Sequence, residues 1–490
     1  MIKFIFEEND GCMLKRINIF LNGITIIFTL VVTLFITKLN ILPNKFYWLL
    51  VCVVLIVIVL FMFNIFKNNK KSMLIVSIII SIITSMILSF VFVYLNSTNN
   101  LLKNINHIKE TSVYYVVVNK KYNYKNIEDI ENKSIGLYSI EKTNYNKAYN
   151  KLIDLVNINK KSYSNFNSYF DDFMNDKVDA ILINSNTKDI LDENNSNFKS
   201  NTKVLKKIRI NISNKKDSTV NVNSDKFNIL ITGIDTDGDI SKTSRSDVNI
   251  IVTINRKTNQ IVLTTTPRDM EVQLHGTDGL TDKLTHAGIY GADMSRQTLE
   301  DFYDIKIPYY IRVNFTSVVG IVDAIGGVDI DNDIAFSDGT YYFPKGNIHL
   351  NGKKALAYAR NRHQMPSGDY NRGLHQEEII KAMITKITHS SELLTNYSEI
   401  TNELSYLFQT NIPESVLKKY IRCQLDKNPK WDINYYSVGG GPEDHKYTYS
   451  MPNIKLYIIT PYQPEIERTH NIITGILNDK KYEDVSDRLH

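Results

Sequence analysis

The sequence predicts an α/β protein carried on a membrane anchor. Three transmembrane helices come first, then a small α/β accessory domain. A larger α/β domain follows, with a mixed central sheet flanked by helices. Three observations predict this. Charge-free apolar runs fill the first hundred residues, at 17–37, 46–66 and 73–95. From residue 112 onward, short runs rich in Val, Ile and Tyr alternate with segments of helical apolar spacing. Only three of the 21 glycines precede residue 226, and the other 18 begin at Gly233, so tight turns and close backbone approaches concentrate in the second half.

Each apolar run is long enough to cross a hydrocarbon core of roughly 30 Å as a helix. None has a polar face, which argues against buried helices of a soluble domain. Three long spans in succession, without a small-residue cleavage pattern, argue against a signal peptide. Lys15 and Arg16 precede the first span, TKLNILPNK after it holds two lysines, and FKNNKKS after the second holds three. This slight bias predicts a cytoplasmic N-terminus, and three spans then put everything after Leu95 outside the cell. Cys12, Cys52 and Cys423 suggest neither a disulfide framework nor a metal site. A length of 490 residues exceeds one compact domain. The net charge of +5 is modest, and most Lys lies in Asn/Lys-rich connections, so no nucleic-acid partner is expected.

The expected divisions are 1–95 for the anchor, 100–225 for the accessory domain with its linker, and 226–480 for the catalytic domain. In the accessory domain, VYYVVVN, KSIGLYS, DAILINS and KVLKKIRINI read as strands. NYNKAYNKLIDLVN and NFNSYFDDFMNDKV read as helices between them, which suggests βαβ units and a partly parallel sheet. VNKKYNYKNIEDIENKSIGLYS resembles half of a periplasmic solute-binding fold. Its only arginine is Arg209, and a spacer or interaction domain is the favoured reading.

The second half carries the chemistry. FNILITGID ends one strand at Asp235, and SRSDVNIIVTI starts the next with Asp247. If TDGDISKTS reverses the chain, the two carboxylates meet at one end of the sheet. Such a pair suits a hard divalent cation, although on spacing alone strand-end turn caps are the commoner arrangement. Arg268 in TTTPRD belongs on the same rim, followed by Lys283 and His286 in TDKLTHA. YARNRH then raises a pointed question, because the chain uses only 13 arginines against 44 lysines yet puts Arg360 and Arg362 two apart, with Arg372 close behind. Guanidinium is a planar fork of donors that lysine cannot copy. Residues two apart on a helix face different ways, so both can serve one ligand only if the helix ends there. Asp369 is placed to cap the next helix, on which Arg372 and Gln376 share a face. Any one of these arginines alone would be read as a surface charge. Interleaved with the carboxylates, they predict phosphate binding. Arg296, outside these motifs, is expected to be an ordinary surface charge whose replacement by lysine is silent.

GID…SRSD, TTPRD, DKLTHA, IPYYIRVNFTSVVGIVDAIGGVDID, LNGKKALAYARNR and GDYNRGLHQ occur together and in this order. From Phe227 to about Leu477 the chain thereby resembles the LytR–CpsA–Psr family, which attaches glycopolymers to the cell wall. Three spans before an accessory domain resemble the subgroup linked to capsular or related surface polysaccharides. The resemblance implies a transferase acting on a polyprenyl-pyrophosphate-linked glycan, with peptidoglycan as acceptor and the membrane as platform. It implies Mg²⁺, or Mn²⁺ in its place, held by Asp235 and Asp247. It implies that Arg245, Arg268, Lys283, Arg360, Arg362, Arg372 and Gln376 surround the pyrophosphate. Arg268, Arg360 and Arg362 serve the chemistry, and Asp369 is a candidate base. It further implies a tunnel for the lipid, with Val318, Val319, Ile321 and Val322 as candidate lining. The chain departs from the family at His375, where arginine is usual, and a neutral histidine would hold that end of the anion less tightly. A lipid pyrophosphatase or a membrane sensor would use the same residues. A cysteine placed in the 214–226 linker should react with an impermeant thiol reagent on intact cells. Labelling only after lysis would put the catalytic half in the cytoplasm.

Overall fold

The three apolar runs lie within long helices, α1 (Ile2–Leu39), α2 (Asn44–Lys67) and α3 (Lys71–Asn104). The computed structural model describes residues 2–67, 70–104, 110–138, 142–212, 225–234, 236, 238–361, 369–389, 404 and 407–486, without the side chains of 2–12, 67, 104, 142–143, 369–373 and 388–389. Met13–Leu39, Asn44–Phe66 and Lys71–Lys103 are long and apolar enough to cross a membrane. Two polar side chains of α1, Asn22 and Thr25, reach α3. Asn22 Nδ2 donates to Ser77 Oγ at 3.0 Å, and the Thr25 and Ser85 hydroxyls meet at 3.0 Å. In hydrocarbon, such groups find partners on a neighbouring helix because no water can satisfy them.

The chain divides into two compact units, one built on residues 1–106 with 412–430, the other on 107–390, 406–411 and 431–490. Within the first, helix Glu414–Lys427 brings Asp426 Oδ1 to 3.0 Å from Lys45 Nζ, and Arg422 Nη1 donates to Asn40 Oδ1 at 2.7 Å. A part of the expected 226–480 domain therefore keeps company with the anchor. The accessory domain and the core fall together in the second unit.

The accessory domain comprises β1 (Thr111–Asn119), β2 (Ser134–Leu137), α4 (Lys142–Ile153), β3 (Asn159–Ser162), α5 (Phe166–Met174), β4 (Ala180–Asn184), α6 (Ser185–Asn194), α7 (Ser196–Asn201) and β5 (Thr202–Asn211). The strand order is β3-β2-β4-β1-β5. β2 runs parallel to β3 and β4, while β1 is antiparallel to β4 and β5. β3, sequence NKKS, carries no apolar residue and is exposed throughout, so the sequence pattern missed it. Lysines on such an edge discourage pairing with other chains.

The core opens with β6 (Lys226–Ile234), β7 (Ser246–Asn255) and β8 (Gln260–Thr265), an antiparallel meander. Next come β9 (Glu271–Val272), β10 (Asp282–Lys283), α8 (Leu284–Ala287), α9 (Ala292–Tyr303), β11 (Tyr309–Asn314) and α10 (Phe315–Ala324). β12 (Val328–Asn332), β13 (Phe336–Ser337), β14 (Tyr342–Phe343) and β15 (Gly346–Leu350) lead to α11 (Gly352–Arg360) and α12 (Asp369–His389). β16 (Gln409–Thr410), β17 (Asp432–Ser437), β18 (Glu443–Tyr447), β19 (Lys455–Ile459) and helix Gln463–Leu477 follow. Among the described residues the main sheet has the order β16-β11-β6-β7-β8-β17. β11 is parallel to β6 and β17 to β8, so the sheet is mixed, as expected. Alternation along β7 sends Ile251 to one face, with Leu299 of α9 and Ile473 of the C-terminal helix, and Ile250 and Val252 to the other, with Ile380 and Ile384 of α12.

Arg296 corrects an expectation. It is buried on α9, where Nε donates to Asp293 Oδ1 at 3.1 Å and Nη1 to Glu300 Oε2 at 2.8 Å and the Ile307 carbonyl at 2.9 Å. The inward face of an amphipathic helix carries it, and lysine cannot reproduce that fork. A second buried arginine joins the two domains. Arg312 of β11 and Glu110, just before β1, are each 1% exposed, with Nη1 3.0 Å from Oε1. Nη2 also donates to the Lys242 carbonyl at 2.5 Å, and the Ala292 amide to Glu110 Oε1 at 3.0 Å. Burial pushes the Glu110 carboxyl above its ordinary value, against the pull of Arg312. Gly291, at φ +116°, leaves room for this carboxylate, since a Cβ there would stand 2.5 Å from Oε2. Glu110→Ala or Arg312→Ala should each lower unfolding stability by about 3–5 kcal/mol, because the other charge is left buried and alone. Denaturant titration of the purified chain measures this, and a loss below about 1 kcal/mol would mean the junction tolerates an open charge.

Candidate active site

The site grows from the end of the sheet where β6 runs out and β7 begins. Gly233 pairs with Val248 and Ile234 with Ser246, so the register shift puts Asp247 opposite the last two residues of β6. Asp235 itself lies outside the described residues. The segment after β8 returns to the same edge because β7 and β8 are antiparallel, with Ile250 opposite Thr265. It is joined there by the segment around β10: the Leu284 amide donates to the Met270 carbonyl at 2.9 Å and the Thr285 amide to the Arg268 carbonyl at 2.8 Å. Gly288 permits the close fit, since a Cβ there would lie 2.6 Å from both the Ser244 carbonyl and the Ser246 amide.

These three segments bring alternating charges into one row. Asp247 Oδ1 accepts from Thr285 Oγ1 at 2.9 Å, and Oδ2 accepts from Arg268 Nη1. Arg268 Nε lies 3.5 Å from Asp269 Oδ2, and Lys283 Nζ pairs with Asp269 Oδ1 at 2.5 Å. The four side chains are 11–18% exposed, shielded enough to interact strongly yet open at the edge. Beside the row, His286 Nδ1 and Asp282 Oδ1 meet at 2.5 Å, both buried, and the Ser450 amide donates to Asp282 Oδ2 at 2.8 Å. Burial alone would raise the Asp282 carboxyl, but the His286 contact and Ser450 outweigh it and leave it below its ordinary value.

Of the expected site residues, the metal-ligand candidate Asp247 and the anion-ligand candidates Arg268 and Lys283 are brought together. Arg245 is engaged by the accessory domain, its Nη1 and Nη2 2.8 and 3.0 Å from the two oxygens of Glu193 on α6. Arg360 is the last residue of α11, its guanidinium 4.1 Å from the centre of the Phe315 ring. Asn361 turns extended, at φ −65° and ψ 126°, so the helix ends between the two arginines of YARNRH. Arg362 lies outside the described residues. Asp369 is the first residue of α12, not the residue before it, and the side chains of Asp369 and Arg372 lie outside the described residues. Gln376 stands half-buried on α12. Val318 and Val319 of α10 are half-buried, and Ile321 and Val322 are buried.

His375 corrects another expectation. It is 5% exposed and packs between Phe336 and Tyr358, ring centroids 5.2 and 4.3 Å away. Burial pushes its pKa down to about 4, so it is a neutral core residue and not the end of an anion clamp. Four contributors went unread in the sequence: Asp269, Thr285, Glu193 and Glu377. The first two stand within quoted motifs, and only their neighbours' charge hinted at them. Glu193 and Glu377 carried no sequence signal. Glu377, on α12, is fully buried, and Ser437 Oγ donates to its Oε2 at 3.1 Å. Burial pushes its carboxyl up to about 8, against the pull of the Thr265 and Ser437 hydroxyls.

Residues 193–456 match the LytR_cpsA_psr family. The chain is 36% identical over 235 residues to polyisoprenyl-teichoic acid–peptidoglycan teichoic acid transferase TagU of Bacillus cereus, covering 47% of this chain and 75% of that protein. It is 34% identical over 222 residues to TagU of Enterococcus faecalis, covering 44% and 72%. Among solved structures it is similar to B. subtilis TagV at 30% identity and a TM-score of 0.42, covering 52% of this chain and 98% of that one.

Glu377 yields a signed pH dependence. The unfolded side chain ionises near its ordinary 4.5 and the folded one near 8. Between those values the folded chain holds the extra proton, so this group's contribution to stability falls as pH rises through the window and levels off above it. Glu377→Gln is neutral at every pH. Its melting temperature relative to wild type should therefore climb between about pH 5 and pH 8, and a constant offset would show that the carboxylate is accommodated without cost.

Proposed function

The chain belongs to the LytR–CpsA–Psr family, and on that premise we propose that it transfers a glycopolymer from a polyprenyl-pyrophosphate carrier to peptidoglycan, leaving a phosphodiester link. The observation that carries this reading is the row Asp247–Arg268–Asp269–Lys283 at one sheet edge. Two cations held by carboxylates on a shielded rim suit an anion with several oxygens. The aspartates set the cations in place and keep the edge near neutral until a pyrophosphate arrives. The activated bond is already present in the substrate, so the protein has to position and neutralise it.

An acceptor hydroxyl of peptidoglycan attacks the phosphorus that carries the polymer. The bond from that phosphorus to the bridging oxygen breaks, and polyprenyl phosphate leaves with the electron pair. Arg268 and Lys283 balance the charge that gathers on the leaving phosphate. Arg360 joins them from the end of α11, where stacking on Phe315 orders its guanidinium. Arg362, Arg372 and Gln376 are proposed ligands on family resemblance, and Asp369 is proposed to take the hydroxyl proton. Val318, Val319, Ile321 and Val322 are proposed to line the path of the lipid.

A divalent cation fits the donor chemistry. Asp247 is a hard oxygen donor with two oxygens and about four lone-pair sites, so it can keep Thr285 and Arg268 and still receive an ion. Among the described residues, no group of three or more His, Cys, Asp or Glu gathers for a metal. Asp247 with Asp235 would hold Mg²⁺, or Mn²⁺ in its place, and the ion would add positive charge beside the pyrophosphate. The three apolar helices support membrane anchoring. We place the N-terminus in the cytoplasm and the catalytic unit outside, on the charge bias of the short loops.

The test combines the full chain in detergent with a polyprenyl-pyrophosphate glycan, peptidoglycan oligomers and Mg²⁺. Mass spectrometry should find the glycan joined to peptidoglycan through phosphate. Asp247→Ala and excess chelator should abolish transfer. Arg268→Lys and Arg360→Lys should each lower it by about ten- to hundredfold, because lysine keeps charge but loses the fork. Release of the glycan phosphate without joining would make the protein a pyrophosphatase, and binding without turnover would make it a sensor.

A further inference from the structure

The accessory sheet meets the core at a cleft separate from the charged row. β2 lies between β3 and β4 and is parallel to both. The connections that leave β2 and β4 go to opposite faces of the sheet. After β2 comes α4, whose Tyr145, Ala148 and Leu152 pack with Val116 and Leu182 on one face. After β4 comes α6, whose Ile190 and Leu191 pack with Val117 and Ile181 on the other. Where the connections of adjacent parallel strands part in this way, a crevice opens at their carboxyl ends, and open α/β sheets bind ligands there. A cavity of about 520 Å³, its mouth open to solvent, occupies this place. Tyr138 borders it directly after β2, Asn184 borders it at the end of β4, and Thr187 does so from the first turn of α6. Tyr145 of α4 stands on one side, and Phe166 and Tyr169 of α5 on the other. The core closes the cleft with Tyr290 and Ser450, whose hydroxyls meet at 2.9 Å.

We propose that this cleft binds a neutral sugar ring, which makes the accessory domain a glycan-binding unit. Aromatic side chains form most of its wall, and they are already fixed. The Tyr145 and Tyr169 hydroxyls donate to the Leu182 carbonyl at 3.0 and 2.9 Å, level with the last residue of β2. Tyr138 meets Phe166 edge-on and Tyr169 at a tilt, with ring centres 5.5 and 5.8 Å apart. Thr187 and Ser450 bring aliphatic hydroxyls to the same space. A pyranose has the matching pattern, with C–H faces that lie on aromatic rings and a rim of hydroxyls that hydrogen-bond. The volume falls within the roughly 300–1,000 Å³ of small-molecule sites, which combine apolar walls with a few polar groups. Among the described residues no charged side chain lines the cavity, so a charged ligand would shed water without gaining a counter-charge. The open mouth admits one ring of a longer chain. The core wall is also tied to the active site, since the Ser450 amide donates to Asp282 Oδ2 at 2.8 Å and Lys283 follows Asp282. A sugar is preferred to other neutral ligands because the proposed substrates are glycans, so the identity of the ligand rests on that reading.

The experiment uses the full chain in detergent and saturation-transfer NMR, in which irradiated protein protons mark the sugar that touches them. The neutral probes are N-acetylglucosamine, its disaccharide, glucose and galactose, and the charged ones are glucuronate and glucosamine. At least one neutral sugar should be marked through its ring C–H protons, and the charged ones about tenfold less. Tyr138→Ala should weaken binding by about five- to tenfold, while Tyr138→Phe, which keeps the ring, should bind like wild type. Thr187→Phe fills the cleft and should abolish binding with a melting temperature near wild type. If that variant melts early, the two Tyr138 variants decide. Strongest marking of the N-acetylglucosamine probes would name peptidoglycan as the source of the sugar, and strongest marking of the hexoses would name the transferred polymer. Marking of no neutral sugar, equal marking of the charged ones, or binding unchanged in Tyr138→Ala would overturn the inference. Sugar binding without any transfer activity would remove the transferase reading alone, and transfer without sugar binding would remove this one alone.

Discussion

The buried pair Glu110–Arg312 is the constraint on which the second unit depends. Arg312 sits in β11, which lies beside β6 in the main sheet, and Glu110 enters β1 of the accessory sheet. One guanidinium therefore ties together a core strand, the first residue of the accessory domain and the backbone of residue 242. Each partner alone would be an intolerable buried charge, and together they demand one arrangement. The requirement reaches as far as Gly291, where only a missing side chain lets Glu110 approach.

That arrangement sets the height at which residues 241–246 enter β7, and hence the place of Asp247. The row that follows works by alternation. Asp247 and Asp269 keep Arg268 and Lys283 from repelling one another before a ligand is present, and each cation is oriented by a carboxylate. The segments that carry the row come from three parts of the chain and are fastened by backbone hydrogen bonds, which leaves the side chains little freedom to lose on binding.

α12 is seated differently. It is buried on two sides, with His375 among aromatic rings and Glu377 against Thr265 and Ser437 of the main sheet, both held neutral near pH 7 by burial. The polar character of HQEE thus divides between the two sides of one helix. Gln376 stays half-buried, while its neighbours on either side are buried.

By itself the sequence determined the three spans, the mixed α/β class, and the local pairing of β6, β7 and β8. These follow from apolar length, alternation and turn residues, which are properties of neighbouring positions. It also singled out Asp247, Arg268, Lys283 and Arg360, because cationic and carboxylate residues interleave in the second half and guanidinium is rare in this chain. What it could not determine was burial and long-range partnership. Arg296 looks like a surface charge in one dimension, and His375 looks like a weaker stand-in for arginine at the anion. NKKS has no apolar face to announce a strand, and nothing near Glu193 points across 52 residues to Arg245. Whether a charge is a ligand, a strut or a core residue depends on which other groups surround it and how much water they leave, and only the tertiary structure decides that.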